Sequence, residues 1–215
     1  MTEKLLSLIS KRHPLTEIDC GEFAKMKVSG MIFNISAYKA EGLGHVSVMT
    51  ASGMLGLMKM DTLIINPTEL DLPLYSYDRI FAMGNDTLIV ELYDTLLGDF
   101  SEAKLLERKD GFSYLPERDP GEHWYDSIKL GCSISKKGKK KHTADLNRLT
   151  EEHFLAYLGK GAATVSDREA KQKKASVYVE GLLTKGGPST DVFKGAIGEA
   201  LTRQLFTEIL FGTNK

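Results

Sequence analysis

The sequence predicts an α+β protein: a three-layer α/β/α sandwich around a central, mainly antiparallel β-sheet. Two observations carry that expectation. Between residues 22 and 95, five or six strand-like runs follow one another with short connections. Parallel pairing needs about a dozen residues or more per connection, so neighbours here should run antiparallel. From residue 143 to 213 the pattern becomes helical, so strands precede helices rather than alternating with them. A chain of 215 residues buries one sizeable core, which favours a single domain over 1–215, strand-rich over 22–135 and helical over 143–213.

Residues 2–11 form the first expected helix, with Thr2 at its cap and Leu5, Leu6, Leu8 and Ile9 toward one face. Residues 23–28 alternate apolar with basic side chains, and 31–38 resume after Ser29-Gly30. Residues 44–50 alternate strictly after a turn at Gly42 and Gly44, and 54–60 lead into a run over 58–65. Further strand signals lie at 74–81, entered through Leu72-Pro73, and at 87–94, entered through a Gly84-Asn85-Asp86 turn. Residues 100–121 are highly charged, contain Pro116 and Pro120, and read as a short helix plus loop; 127–134 reads as one more strand. Residues 136–142 place five lysines around Gly138, either a solvated loop or a docking patch for an acidic partner.

The last third reads as helices. An amphipathic stretch at 150–158 ends at Gly159. Ser166 and Glu169 have capping-box spacing and open a helix that runs to about residue 183 and stops near Gly186-Gly187-Pro188. Ser189, Thr190 and Asp191 offer another start, after which Val192, Phe193, Ile197, Leu201, Leu205 and Ile209 continue a helical stripe.

Composition is that of an ordinary globular protein, with 42% hydrophobic and 27% charged residues. A formal charge of −1 gives no global attraction to nucleic acid or an anionic membrane. Cys20 and Cys132 lack CxxC spacing, so neither a disulfide framework nor a zinc site is expected, and a reducing cytoplasmic setting is the simplest reading. The N-terminus lacks the apolar core of a signal peptide. No apolar run approaches the roughly 20 residues that cross a bilayer. GxxxxGK[ST], GxGxxG, HExxH and GxSxG are absent, and the five histidines show no metal-ligand spacing, so no metal site is expected. An enzyme working through carboxylates, or a binding protein, passes this filter.

Four carboxylates stand in or beside apolar strand runs: Asp61, Asp78, Glu91 and Asp94. An ionised carboxylate there is costly unless paired, hydrated in a pocket or protonated. Asp61 and Asp78 are 17 residues apart across the turn at 66–71, a spacing that allows them to meet across adjacent strands. If both point into one pocket they titrate as a coupled pair and can deliver protons near neutral pH. Glu91 reads as the outward residue of Val90-Glu91-Leu92, and Asp94 as structural.

The block from Leu72-Pro73 to Tyr77-Asp78, followed by Gly84 and the branched strand 87–92, resembles the ferredoxin-dependent bilin reductases. The C-terminal third resembles the same family at Tyr178, Gly186-Gly187-Pro188, Ile197-Gly198-Glu199-Ala200 and Ile209-Leu210-Phe211. The related red chlorophyll catabolite reductases fit almost as well. The resemblance implies a linear tetrapyrrole held between sheet and C-terminal helices. It also implies no tightly bound cofactor, electrons arriving singly from ferredoxin or flavodoxin, and protons from acidic residues and water. The family aspartate falls on Asp78, its neighbouring-strand companion on Asp61, and a further family histidine on His45 if two residues are inserted; a strand histidine is more often satisfied by packing. Tyr178, Phe193, Ser189 and Met60 would frame the substrate, and Lys136, Lys137, Lys139, Lys140 and Lys141 would dock the acidic electron-transfer protein. One departure stands out: the aspartate usual before the last helix is replaced by Gly186-Gly187-Pro188-Ser189. The expected function is therefore reduction of a bilin, the alternative a non-enzymatic tetrapyrrole-binding or chaperoning protein. A third reading is a partner-binding domain whose sheet face is filled by Met54, Met58, Met60 and Phe81.

Overall fold

The computed structural model describes residues 1–53, 56–159 and 161–214. Helix α1 (Thr2–Ser10) is followed by strands β1 (Leu15–Ile18), β2 (Lys25–Val28), β3 (Met31–Ala40), β4 (Gly44–Gly53), β5 (Met58–Pro67), β6 (Leu74–Ala82) and β7 (Asn85–Tyr93). Then come α2 (Ala103–Asp110), β8 (Ile134–Lys139), α3 (Thr143–Tyr157), α4 (Arg168–Lys185), α5 (Pro188–Gln204) and a last wide turn at Leu205–Leu210. All strand pairs are antiparallel, in the order β1-β3-β4-β5-β6-β7-β8, with β2 sharing the outer edge of β3 with β1.

Both faces of the sheet are covered, which makes the architecture the expected α/β/α sandwich. Odd-numbered Leu63 and Ile65 of β5, Tyr75 and Tyr77 of β6, and even-numbered Val46 and Val48 of β4 with Leu88 and Val90 of β7 pack in one core with α1, α2 and α3. Phe33, Met49, Ile64, Leu74 and Tyr93 point the other way, into a second core with α4, α5 and the C-terminal turn. A strand sandwiched in this way is apolar on both sides, which explains the unbroken Leu63-Ile64-Ile65. No helix among the described residues is long and apolar enough to cross a membrane.

Tight turns hold the registers. Ser29-Gly30 and Met83-Gly84 each place two successive residues at positive φ between paired strand ends, the two-residue geometry whose twist matches antiparallel strands. At Gly44 a Cβ would lie 2.4 Å from the Asn66 carbonyl oxygen, so only glycine lets β4 approach β5 there.

Several elements differ from the sequence reading. Helix α1 is capped by Met1 rather than Thr2. β1 was not anticipated because it spans only four residues. Met58 and Met60 belong to β5 itself, while Met54 lies outside the described residues. Residues 127–133 form turns, not a strand: Leu130 N–H donates to the Leu92 carbonyl at 2.8 Å, and the strand begins only at Ile134. Four of the lysines read as a loop or patch therefore stand in or beside a strand. In β8, Ile134, Lys136 and Gly138 are buried while Lys137 and Lys139 are exposed, a period-2 pattern masked by the repeated lysine. Lys136 is 1% exposed and its Nζ donates to the Leu115 carbonyl at 3.2 Å and to Glu117. Helix α3 begins at Thr143, ahead of the expected 150. Helix α4 is capped by Asp167, whose Oδ1 accepts from Ala170 N–H at 2.9 Å, so the Ser166 box does not form. Helix α5 is interrupted at Gly198, where φ is 82° and ψ 168°.

Asp86, expected in a turn, stands in β7 and points under α3. It forms a two-pronged ion pair with Arg79, whose second contact runs Nη2 to Oδ2 at 2.7 Å, and it accepts from Thr143 Oγ1 at 2.5 Å. Both charged side chains are almost fully buried. A second buried cation, Lys171 of α4, donates to Asp71 Oδ1 at 2.9 Å and to the Leu72 carbonyl at 2.6 Å, tying α4 to the β5–β6 connection. Removing one member of a buried pair strands the other charge. Asp86→Ala should therefore lower unfolding free energy by about 3–5 kcal/mol in urea denaturation. The paired replacement Arg79→Met with Asp86→Leu should cost much less. Equal losses would show that the pair's charge is not what matters.

Candidate functional site

Between the sheet and the C-terminal helices lies a cavity of about 350 Å³, within the range of small-molecule sites. Its floor is the second face of the sheet: Phe33 and Met49, then Met60, Thr62 and Ile64 of β5, Ser76, Asp78 and Ile80 of β6, and Ile89, Glu91 and Tyr93 of β7. Its roof is Tyr178 and Leu182 of α4, residues 187–190 and Phe193 at the start of α5, and Phe206, Leu210 and Phe211. Arg118, Pro120, His123 and Tyr125 close one side from the connection that precedes β8. Aromatic packing makes the roof firm. Phe193 meets Phe33 edge-on at 5.2 Å, and the Tyr178 ring lies 4.2 Å from that of Tyr93.

Asp78 is the carboxylate at the centre of this floor. Burial pushes its pKa up to about 6, a hydrogen bond from Thr62 Oγ1 at 2.5 Å opposes that rise, and the nearby Glu91 adds to it. What exposure Asp78 retains belongs to the cavity it lines, so the surrounding protein still desolvates its charge. A carboxyl with a pKa near 6 can give up or take on a proton near neutral pH.

Asp61 is not its companion. The β5–β6 register sets Thr62 opposite Asp78 and Asp61 opposite Arg79. Successive strand residues face opposite sides, so Asp61 points to the α1 face, where its Oδ2 lies 3.5 Å from the Met1 ammonium. The expected face-to-face Asp61–Asp78 pair does not form, and the second carboxylate of the cavity is Glu91.

His45 shares the cavity's face of the sheet but not the cavity. Its Nε2–H donates to the Ile209 carbonyl at 2.7 Å, beside Ser47 Oγ on the Leu210 carbonyl at 2.7 Å and Asn66 Nδ2 on the Phe211 carbonyl at 2.8 Å. These three polar side chains clamp the C-terminal turn onto β4 and β5. Met60, Tyr178, Phe193 and Ser189 all line the cavity as expected. Met58 and Met60 border open space, and Phe81 falls on the other face, so this side of the sheet is not filled in. Of the lysines, Lys137, Lys139, Lys140 and Lys141 are exposed, whereas Lys136 is internal and unavailable for docking. Among the described residues no group of three or more His, Cys, Asp or Glu side chains is arranged to hold a metal.

No protein family matches the chain, and no curated protein sequence does. A solved structure does. The fold is similar to that of tomato phytochromobilin synthase crystallised in complex with biliverdin, with a TM-score of 0.76 and 15% sequence identity, covering 99% of this chain and 83% of that one. At that identity the likeness establishes the fold and transfers no residue's role.

Glu91 was misread because Val90 and Leu92 face one core, and an alternating residue then looks solvent-facing. Here the opposite face is covered too. Tyr93, two residues on, points the same way as Glu91 and donates to its Oε2 at 2.6 Å. Arg118, His123 and Tyr125 come from an irregular connection with no periodicity to mark them.

Two measurements test the electrostatics. In a carboxyl NMR titration, Asp78 should titrate near pH 6; Thr62→Val should move its midpoint up, and Glu91→Gln should move it down. Shifts of the same sign in both variants would contradict the assignment. Because the folded-state value lies above the roughly 4 of a free carboxyl, ionised Asp78 destabilises the fold. Its favourable contribution is complete below about pH 4 and disappears as pH rises through 6. Asp78→Asn should therefore gain stability relative to the parent protein across that window in urea unfolding, and a flat difference would count against it.

Proposed function

We propose that the protein binds a linear tetrapyrrole in this cavity and reduces it, with Asp78 as a proton donor and electrons arriving singly from an acidic ferredoxin or flavodoxin. The observation that carries the reading is Asp78 itself: a carboxyl held near pKa 6 at the centre of an otherwise largely apolar cavity between sheet and helices. Two further facts support it. The fold is shared with a protein crystallised with biliverdin. Arg118 stands at the cavity's side with its Nη1 donating to Ser135 Oγ at 3.3 Å, placed to meet a ligand carboxylate such as a propionate.

In this scheme the protein needs no tightly bound cofactor of its own. The ligand stacks among Phe33, Tyr178 and Phe193, water is excluded by the aromatic roof, and the carboxyl of Asp78 protonates the ligand as it gains an electron. Lys137 and Lys139 lie on the cavity side of the edge strand β8, by alternation with Ser135. Together with Lys140 and Lys141 they offer a cationic surface to an acidic donor. Lysines on an edge strand also discourage unwanted strand pairing, so this surface has a structural use as well.

A second reading, binding without turnover, is favoured by one observation: residues 187–190, which close the cavity from the helix side, contain no acid. One experiment separates the two. Biliverdin added to the purified protein should change its absorbance, and reduced ferredoxin should then consume it. Asp78→Asn should still bind but turn over about 10²–10⁴-fold more slowly, and rising ionic strength should slow the parent protein by screening the donor. Binding with no turnover, unaffected by Asp78→Asn, would establish the carrier reading; no spectral change at all would overturn both.

A further inference from the structure

Asp78 can hold one proton. Adding two electrons to a neutral closed-shell tetrapyrrole and arriving at a neutral closed-shell product takes two. The cavity floor contains a second carboxylate on the same face of the sheet, and its surroundings differ from those of Asp78 in one important way: it is connected to the surface.

Glu91 stands opposite Ser76 in the β6–β7 register, and Asp78 is two residues along β6 from Ser76, so the two acids are diagonal neighbours on one face. Both line the cavity, and no hydrogen bond joins them. Glu91 is held on its inner side by Tyr93, whose hydroxyl donates to Oε2 at 2.6 Å and whose ring lies 4.2 Å from that of Tyr178 in the roof. On its outer side Oε1 lies 3.7 Å from Lys129 Nζ, which donates to Asp126 Oδ1 at 2.5 Å. Asp126 is 36% exposed, so a polar chain runs from solvent through Asp126 and Lys129 to Glu91. Asp78, by contrast, bonds only to Thr62 among the described residues.

We infer that Glu91 is the second proton donor of the cavity, recharged from solvent by way of Lys129 and Asp126, so that both protons enter the ligand from the sheet side. This rests on the tetrapyrrole-reducing reading above. The balance is simple. The first electron, from the reduced iron–sulfur or flavin protein, and the proton of Asp78 give a neutral radical and leave the Asp78 carboxylate. The second electron and a proton from Glu91 close the shell, forming two new bonds from hydrogen to the ligand in all. Glu91 then takes a proton from water along the Lys129–Asp126 chain, and the Asp78 carboxylate takes one from the water that enters the cavity when the product leaves. An acid supplied by β7 makes an acid in the helix-side residues 187–190 unnecessary.

The test is a stopped-flow experiment with biliverdin bound to the protein and reduced ferredoxin as donor, following absorbance and the radical signal by electron paramagnetic resonance. Glu91→Gln keeps an acceptor for Tyr93 and should leave biliverdin affinity within about threefold. The radical should form at the parent rate but persist at least tenfold longer. Lys129→Met, which leaves Glu91 in place, should show normal first-turnover decay and slowed later turnovers. Radical decay at the parent rate in Glu91→Gln would overturn the assignment to Glu91, and unchanged later turnovers in Lys129→Met would overturn the route. If the unsubstituted protein binds biliverdin but forms no radical, the reducing reading fails, and this inference with it.

Discussion

The β5–β6 register governs everything at the site. With Thr62 opposite Asp78, the parity of β6 turns Ser76, Asp78 and Ile80 toward the C-terminal helices and Tyr75, Tyr77 and Arg79 toward α3. A slip of one residue would exchange those sets, burying Arg79 in the cavity and Asp78 under α3. The slip is resisted from the α3 face. On the α3 face Arg79 is committed to Asp86, which also accepts from Thr143, and Tyr75 packs at 4.7 Å from Tyr157. The buried ion pair therefore does more than fill space: it helps fix which face carries Asp78.

Once the register is set, the chemistry of the floor follows from its surroundings. Met49, Met60, Ile64 and Ile89 give Asp78 little to hydrogen-bond with, and Thr62 supplies one donor. A carboxyl so placed keeps its proton to higher pH than it would in water. Glu91 has a neighbouring lysine and a tyrosine hydroxyl. Two carboxyl groups on one face thus sit in distinct environments, which is the arrangement expected when two acids have different tasks. The roof is clamped rather than merely laid on: His45, Ser47 and Asn66 each hold a backbone carbonyl of residues 209–211.

Much of the fold was legible in the sequence. Alternation and turn residues located β3, β4, β6 and β7, and strands preceding helices gave the layering. Features that depend on partners were not. Lys136 looks like its neighbours until Glu117 and the Leu115 carbonyl are brought to it. Asp86 looks like a turn residue until Arg79 lies beside it. At the site, Asp78, Met60, Tyr178, Phe193 and Ser189 were readable through the family resemblance, which falls on the segments that line the cavity. Asp61 was misplaced because counting spacing without a register cannot assign a face, and Glu91 because its sheet is covered on both sides. Arg118 and His123 reach the cavity from an irregular connection, and no local pattern announces them.

The central claim is that a linear tetrapyrrole lies between sheet and C-terminal helices with the Asp78 carboxyl against it. A crystal structure of the protein with biliverdin tests this most directly. The bilin should lie in the cavity beneath Tyr178 and Phe193, with a ring nitrogen or lactam oxygen about 3 Å from the Asp78 carboxyl and Asp61 on the far side of the sheet. A bilin bound outside that cavity, or inside it with Asp78 turned away and unpaired, would contradict it.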